Sequence, residues 1–157
     1  MATSRIDEAK RILKIADHMI YVTYPVMREN RLLIKILGQI NNVLNNIVLS
    51  VLENEYAQKR IKSYAEPKMN FQSFIESSKR YSLSKSQIDS IQQVAAVMAL
   101  HAQSPMEFVK NDSFVIMSDS MHTEEITYET VKSAFLVAKA VLDSVDNRLK
   151  LDYSQMA

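Results

Sequence analysis

Apolar residues recur at alternating spacings of four and three along three long segments, and this pattern predicts the main helices. The longest segment, residues 28–64, carries the pattern at Leu33, Leu37, Ile40, Leu44, Ile47 and Val51. A helix that begins at Ser84 with the capping box S-K-S-Q repeats Ile88, Ile91, Ala95, Met98 and Ala102. A last helix over residues 128–151 repeats Val131, Phe135, Ala138, Leu142, Val145 and Leu149. Because a seam of this period keeps facing its partner over several turns, we expect helices packed at shallow angles.

A first, shorter helix is predicted over residues 4–23, with Thr3 or Ser4 as its N-cap. We expect it to end there because Pro25 disfavours the α conformation at Tyr24.

The two faces of this first helix differ in polarity. At about 100° per residue, one side collects the apolar residues Ala9, Ile12, Leu13, Ala16, Met19 and Ile20. Asp17, His18 and Tyr21 fall on the opposite side, so we expect these three side chains to be exposed.

The segments between the long helices carry weaker signals. The stretch NFQSFIESSKRY predicts a short amphipathic helix. Ser104, Pro105 and Glu107 form a start signal for another short helix, with a capping serine and a proline at the first helical position. The stretch FVIMSDSMHTEEIT, two β-prone runs around a Ser/Asp turn, predicts a small hairpin.

These elements predict an all-α protein, with residues 1–157 forming one domain. The expected architecture is an up-and-down four-helix bundle with one long central helix, an extra short helix and at most one small β-hairpin. One Gly and three Pro in 157 residues support this prediction, since few breakers suit long helices.

Composition excludes several kinds of site. The chain has no Cys, which rules out disulfides, thiolate zinc sites and a cysteine nucleophile. With a single Gly there is no glycine-rich phosphate loop, and no Glu-x-x-His set suits a di-iron centre. Asp119 and His122 have the separation of two metal ligands but lack a companion histidine, so we interpret them as a solvated turn. We expect no cofactor and no metal.

The N-terminal sequence MATSRIDEAKR is charged and lacks the apolar stretch of a signal peptide. The longest apolar runs, such as IVLSVL, fall far short of the ~18 residues that suggest a membrane span. We therefore expect a cytoplasmic protein without membrane contact.

The long central helix predicts self-association. Its apolar arc approaches about 200°, wider than a bundle core requires, and has Leu32 and Leu52 at its edges. Either the chain flanks this helix on both sides, or a second copy covers part of the arc. The second alternative predicts a homodimer with Leu32 and Leu52 in the interface, and an interaction or assembly module as the function.

Uneven charge supports an alternative function. Residues 58–105 hold seven basic and three acidic side chains, against five and nine in residues 106–157. Basic residues that alternate with tyrosines are typical of surfaces that bind single-stranded nucleic acid. The candidate residues for binding nucleic acid or another anion are Lys59, Arg60, Lys62, Tyr64, Lys79, Arg80 and Tyr81.

Two resemblances add to this interpretation. The stretches ADHMIYVTYPVMRENRLL and SPMEFVKNDSFVIMSD resemble those of a group of small helical archaeal proteins with no assigned function. That resemblance implies a cytoplasmic, all-α protein and names no catalytic residue. Arg11 and His18 resemble the Arg-x(4-6)-His pair that HEPN-type ribonucleases, also helical bundles, use on RNA, although Ile12 stands where those enzymes usually carry a polar residue. This second resemblance implies Arg11 and His18 as a catalytic pair.

Overall fold

The computed structural model describes residues 2–64 and 66–156, of which most are helical (74%). Within these ranges, five α-helices exceed ten residues: α1 (Ala2–His18), α2 (Arg31–Ala57), α3 (Pro67–Ser77), α4 (Lys85–Gln103) and α5 (Tyr128–Met156). A π-helical turn (Met19–Thr23) and a short helical turn (Tyr24–Met27) extend α1, and a 3-10 turn (Ser78–Tyr81) follows α3.

Three strands separate α4 from α5. They are β1 (Met106–Lys110), β2 (Ser113–Met117) and β3 (Thr123–Thr127), and they form one antiparallel sheet in the order β1-β2-β3. Phe114 of β2 pairs with Ile126 of β3, and both side chains join the hydrophobic core. The predicted hairpin is thus present as β2 and β3, and β1 adds a third strand to it.

The prediction of an all-α protein with a four-helix bundle is wrong, because the chain also forms a three-stranded sheet. The helices α1, α2 and α5 pack on one another, while α4 and the sheet lie against α2 and α5. The helix predicted after Ser104 is instead strand β1, in which Met106 pairs with Met117. The Ser104 hydroxyl does not cap a helix, because it lies 2.8 Å from the Met106 carbonyl and 2.7 Å from the Met117 carbonyl. Pairing with β2 therefore overrides the local helix signal.

Helix α2 is enclosed by the rest of its own chain. It contacts the other four helices as well as β2 and β3. Its almost completely buried apolar residues are Leu33, Ile36, Leu37, Ile40, Val43, Leu44, Ile47, Val51 and Leu52. The wide apolar arc of α2 is therefore covered on both sides by the same chain. This is the first of the two alternatives that the sequence left open, and it needs no second copy.

By length and composition alone, α2 is also the one helix in the described ranges that could cross a membrane, with a mean hydropathy of 1.3 over an 18-residue stretch. A buried core helix meets the same criterion.

The periodic seams are reproduced to different degrees. All six predicted seam residues of α2 and all six of α5 are buried. In α4 the buried apolar residues are Ile88, Ile91, Val94 and Val97, whereas Ala95 and Ala102 are exposed. Helix α4 therefore contacts the core through every third residue. The predicted repeat of four and three residues is wrong for the C-terminal half of α4.

Pro25 does not end the first helix at Thr23. Tyr24 keeps helical dihedral angles (φ −63°, ψ −46°), and its N–H donates to the Met19 carbonyl five residues back. A proline ring in a regular α-helix clashes with the carbonyl four residues earlier. The π turn widens the helix at that point, so the chain continues helically to Met27.

Three helical segments end at residues in the left-handed conformation that glycine usually supplies. Arg28 (φ 52°), Lys59 (φ 60°) and Ser82 (φ 59°) hold these positions. At the end of α2, Lys59 N–H donates to the Tyr56 carbonyl and Arg60 N–H to the Glu55 carbonyl, which is a Schellman motif. No glycine marks this end in the sequence, so the predicted range of residues 28–64 runs past Ala57. The range also begins too early, because α2 starts at Arg31.

We predict that Lys59→Gly stabilises the protein by about 1 kcal/mol, because glycine adopts a positive φ without the steric cost of a side chain. Urea unfolding measures this free energy. The control is Lys62→Gly, whose φ is not positive and which should give no gain. Equal effects of the two substitutions would contradict the strain assigned to Lys59.

Candidate binding cleft

An apolar cleft opens between α4 and α5 and has α2 as its floor. Its volume is about 200 Å³. Leu37 and Leu44 of α2 line the floor, and Ile126 of β3 lies at one end. The walls are Ser90, Gln93, Val94 and Val97 of α4 and Thr130, Ser133, Ala134 and Val137 of α5.

The sequence builds this cleft from one close helix contact and several small side chains. At Gly38 an added Cβ would lie 3.4 Å from Met98 Cε, so the end of the Met98 side chain of α4 packs against α2 there. Across from α4, the wall of α5 presents Ser133 and Ala134, which are too short to fill the space between the helices. A cleft therefore remains open above the α2 floor.

The rim of the cleft is polar and acidic. Glu124 and Glu125 lie at the β3 end, and none of the described lining residues is Lys, Arg or His. No hydrogen bond joins a cleft hydroxyl to either glutamate among the described residues. The cleft therefore offers an apolar surface beside negative charge.

A second polar feature is a charged cluster at the C-terminal ends of α2 and α5, in which buried carboxylates meet partly exposed arginines. We call it the Glu55 cluster, and its members are Asn54, Glu55, Arg60, Arg80, Tyr81, Arg148 and Asp152. The Glu55 side chain is fully buried and accepts hydrogen bonds from Arg60 Nη1 (2.6 Å) and Arg80 Nε (2.8 Å). Asn54 Nδ2 lies 2.8 Å from both Tyr81 Oη and Asp152 Oδ2. The cluster joins α2, α5 and the segment after α3.

The two carboxylates of this cluster stay ionised. Burial by itself would raise the pKa of Glu55, but hydrogen bonds from Arg80, Arg60 and Ser77 outweigh it and lower the pKa. For Asp152, burial is likewise outweighed by the Asn54 hydrogen bond and by Arg148, so its pKa is also lowered. Burial raises the pKa of Tyr81, which keeps its hydroxyl protonated. None of these residues lines the cleft, so we interpret the cluster as structural.

The Glu55 cluster contains three of the seven residues predicted to bind nucleic acid. Arg60 and Arg80 are committed to Glu55, and Tyr81 is only 1% exposed. Lys59, Lys62 and Lys79 are exposed, and Tyr64 is half-buried with its ring against Tyr56. Arg60 and Arg80 are also exposed and meet at Glu55, so Tyr81 is the candidate that the fold removes from the surface. Nucleic-acid binding stays a prediction.

Comparison with known proteins found no matching family model, no similar curated protein and no similar solved structure. The resemblance to small archaeal proteins and the HEPN resemblance therefore stay predictions.

The pair implied by the HEPN resemblance lies on an exposed helix face. Asp17, His18 and Tyr21 are exposed, as predicted from the helix phase. Arg11 forms a two-pronged ion pair with Glu8, at 2.7 and 2.9 Å, and His18 Nδ1 lies 3.4 Å from the Thr23 hydroxyl. Neither Arg11 nor His18 lines one of the pockets described here.

The predicted interface residues occupy the interior instead. Leu52 is fully buried in the core, and Leu32 is half-buried against it. The homodimer stays a prediction, with Leu32 still partly accessible and Leu52 removed from the surface. Within the described ranges no three His, Asp or Glu side chains converge as metal ligands.

Sequence reasoning missed both the cleft and the role of Glu55. A signal for the second was present, because the α2 seam extended four residues beyond Val51 falls on Glu55, and the α5 seam extended three beyond Leu149 falls on Asp152. A charge at a seam position indicates a buried partner of opposite charge. The cleft depends on the separation of α4 from α5, which no local pattern encodes.

We predict that Glu55→Gln lowers the free energy of unfolding by roughly 2 kcal/mol, because the buried site loses charge-assisted hydrogen bonds from two arginines that water only partly replaces. Denaturant unfolding measures the loss. The matched control is Glu8→Gln, which breaks an exposed ion pair and should change stability little.

The same substitution should alter the acid sensitivity of the protein. A lowered folded-state pKa stabilises the protein above the ordinary carboxylate pKa of about 4, and this stability is lost as pH falls through the folded value. The wild type should lose stability in that acid range more steeply than Glu55→Gln. Parallel pH profiles would contradict the assignment.

Proposed function

We propose that this protein is an interaction module that binds one large apolar side chain of a partner protein in the cleft, with a basic residue of the partner beside it. The observation that carries the proposal is an apolar cleft with an acidic rim on the surface of a helical protein.

The size of the cleft supports a side chain as its occupant. Its volume of about 200 Å³ lies below the roughly 300–1,000 Å³ of typical small-molecule sites. An apolar cavity of ~150 Å³ is large enough for a benzene ring. One phenyl or branched aliphatic group therefore fits, and buried anchors of this kind supply much of the affinity of protein interfaces.

The charge of the rim supports a basic neighbour to that side chain. Glu124 and Glu125 are the charged residues among the described lining, and both are acidic. Charge complementarity of this kind selects partners and raises association rates more than it raises affinity. An acidic or neutral segment with the same apolar residue should bind more weakly.

We predict that phenethylamine, a phenyl group two carbons from an ammonium, binds the cleft. In a ¹⁵N-labelled sample, titration should shift the amide resonances of Val97, Ile126 and Ala134. The matched probe 3-phenylpropanoate carries a carboxylate on a chain of the same length and should cause much smaller shifts. No shifts with phenethylamine, or equal shifts with both probes, would contradict the proposal.

A variant pair locates the effect. Ser133→Trp places an indole at an exposed position of the cleft wall and should abolish the shifts. Ala140→Trp adds the same side chain two turns further along α5, at an exposed position outside the cleft, and should leave them unchanged. Loss of the shifts in both variants would show that phenethylamine binds elsewhere.

A further inference from the structure

A second pocket lies where the end of α1, the β1–β2 turn and the start of α5 meet. We call it the tyrosine pocket, because Tyr24 and Tyr128 both line it. It is an open pocket with a volume of about 560 Å³, within the range of roughly 300–1,000 Å³ that is typical of small-molecule sites. Its described lining is mostly polar, unlike that of the cleft.

The walls of this pocket are held by specific contacts. The Tyr24 hydroxyl donates to Asn30 Oδ1 (2.7 Å), and Asn30 Nδ2 donates to the Asn111 carbonyl (2.8 Å) in the β1–β2 turn. The rings of Tyr24 and Tyr128 stack at 4.6 Å between centroids. Burial raises the pKa of Tyr24, which keeps its hydroxyl a donor. The pocket is therefore a preformed site.

The π turn of α1 belongs to the same construction. Because Tyr24 N–H donates to Met19 and Pro25 has no N–H, neither of these residues supplies a backbone donor to the Ile20 carbonyl. The Tyr128 hydroxyl donates to that carbonyl instead, at 2.6 Å. The irregular turn thus fixes Tyr128 beside the pocket, and π turns occur frequently at functional sites.

Charges of opposite sign flank the floor of the pocket. The strand register places Lys110, Ser113 and Thr127 side by side on one face of the sheet, with Glu125 one step along the same face of β3. Lys110 on β1 and Glu125 on β3 are therefore separated by the central strand, at roughly 10 Å between backbones. Arg28 adds a second cation, with its guanidinium carbon 6.0 Å from the centre of the Tyr24 ring.

We propose that the tyrosine pocket binds a small zwitterion of the α-amino-acid class. The ligand carboxylate faces Lys110 and Arg28, its ammonium faces Glu125, and its side chain lies against the tyrosine pair. The charged lining residues are the cations Arg28 and Lys110 and the carboxylates Asp112, Glu125 and Glu129, of which Glu129 pairs with Lys132. A simple anion or a simple cation would meet charges of its own sign there, so a ligand with both charges suits the pocket best.

Glu125 borders both this pocket and the cleft, but its side chain lies on the face of β3 opposite to Ile126 of the cleft. This inference does not rest on the proposed function of the cleft.

Calorimetric titration with the individual common amino acids tests the proposal. At least one should bind with a Kd of about 1 mM or tighter. Its N-acetyl derivative lacks the ammonium and its amide derivative lacks the carboxylate, and each should bind about tenfold more weakly. No binding by any amino acid, or equal binding of a derivative, would overturn the proposal.

Two variants at exposed positions test the named residues, and two further variants serve as controls. Lys110→Ala should weaken the binding of the free amino acid about tenfold. Glu125→Gln should remove the preference of the pocket for the free amino acid over its N-acetyl form. The control Lys139→Ala, at an exposed position of α5 outside the pocket, should bind like the wild type. Ser133→Trp in the cleft should also leave amino-acid binding intact, which separates the two sites. Full binding by Lys110→Ala would refute the assignment.

Discussion

The enclosure of α2 by its own chain is the constraint that organises this protein. A 27-residue helix with apolar residues around most of its surface is stable in water only if other elements cover it. The flanking helices α1 and α5 cannot do this alone, so α3, α4 and the sheet complete the cover. Both pockets lie where covering elements meet, the cleft between α4 and α5 and the tyrosine pocket where α1, the sheet and α5 join.

The Glu55 cluster solves a related problem at the end of α2. The Schellman turn at Lys59 brings Arg60 back onto Glu55, so that its N–H meets the Glu55 carbonyl and its guanidinium meets the carboxylate. Arg80 approaches the same carboxylate from the segment after α3. A buried carboxylate with two arginines is costly to break, and it holds α3 against the core, where apolar contacts are supplied by Phe74.

Much of the fold was predictable because it follows from local periodicity. The seams of α2 and α5 and the exposed face of α1 all follow from residue spacing. The errors arose where long-range contacts determine the local structure. The Ser104 hydroxyl donates to the Met117 carbonyl in the sheet instead of capping a helix, and Tyr128 and Pro25 together allow a π turn in α1. Because the chain has a single glycine, the glycine that usually marks the end of a helix was missing, and the predicted range of α2 was too long. Neither pocket was predicted, since each joins residues far apart in sequence.

Because the chain contains no Cys, a single introduced thiol reports directly on whether α2 is enclosed within one copy of the chain. The most direct measurement is the rate at which L52C reacts with a thiol reagent, compared with V26C at a position that is 81% exposed. If α2 is enclosed, L52C should react about a thousandfold more slowly than V26C, because only unfolding exposes the site. Its rate should not change between micromolar and nanomolar protein. A reaction as fast as that of V26C, or protection that disappears on dilution, would contradict this enclosure.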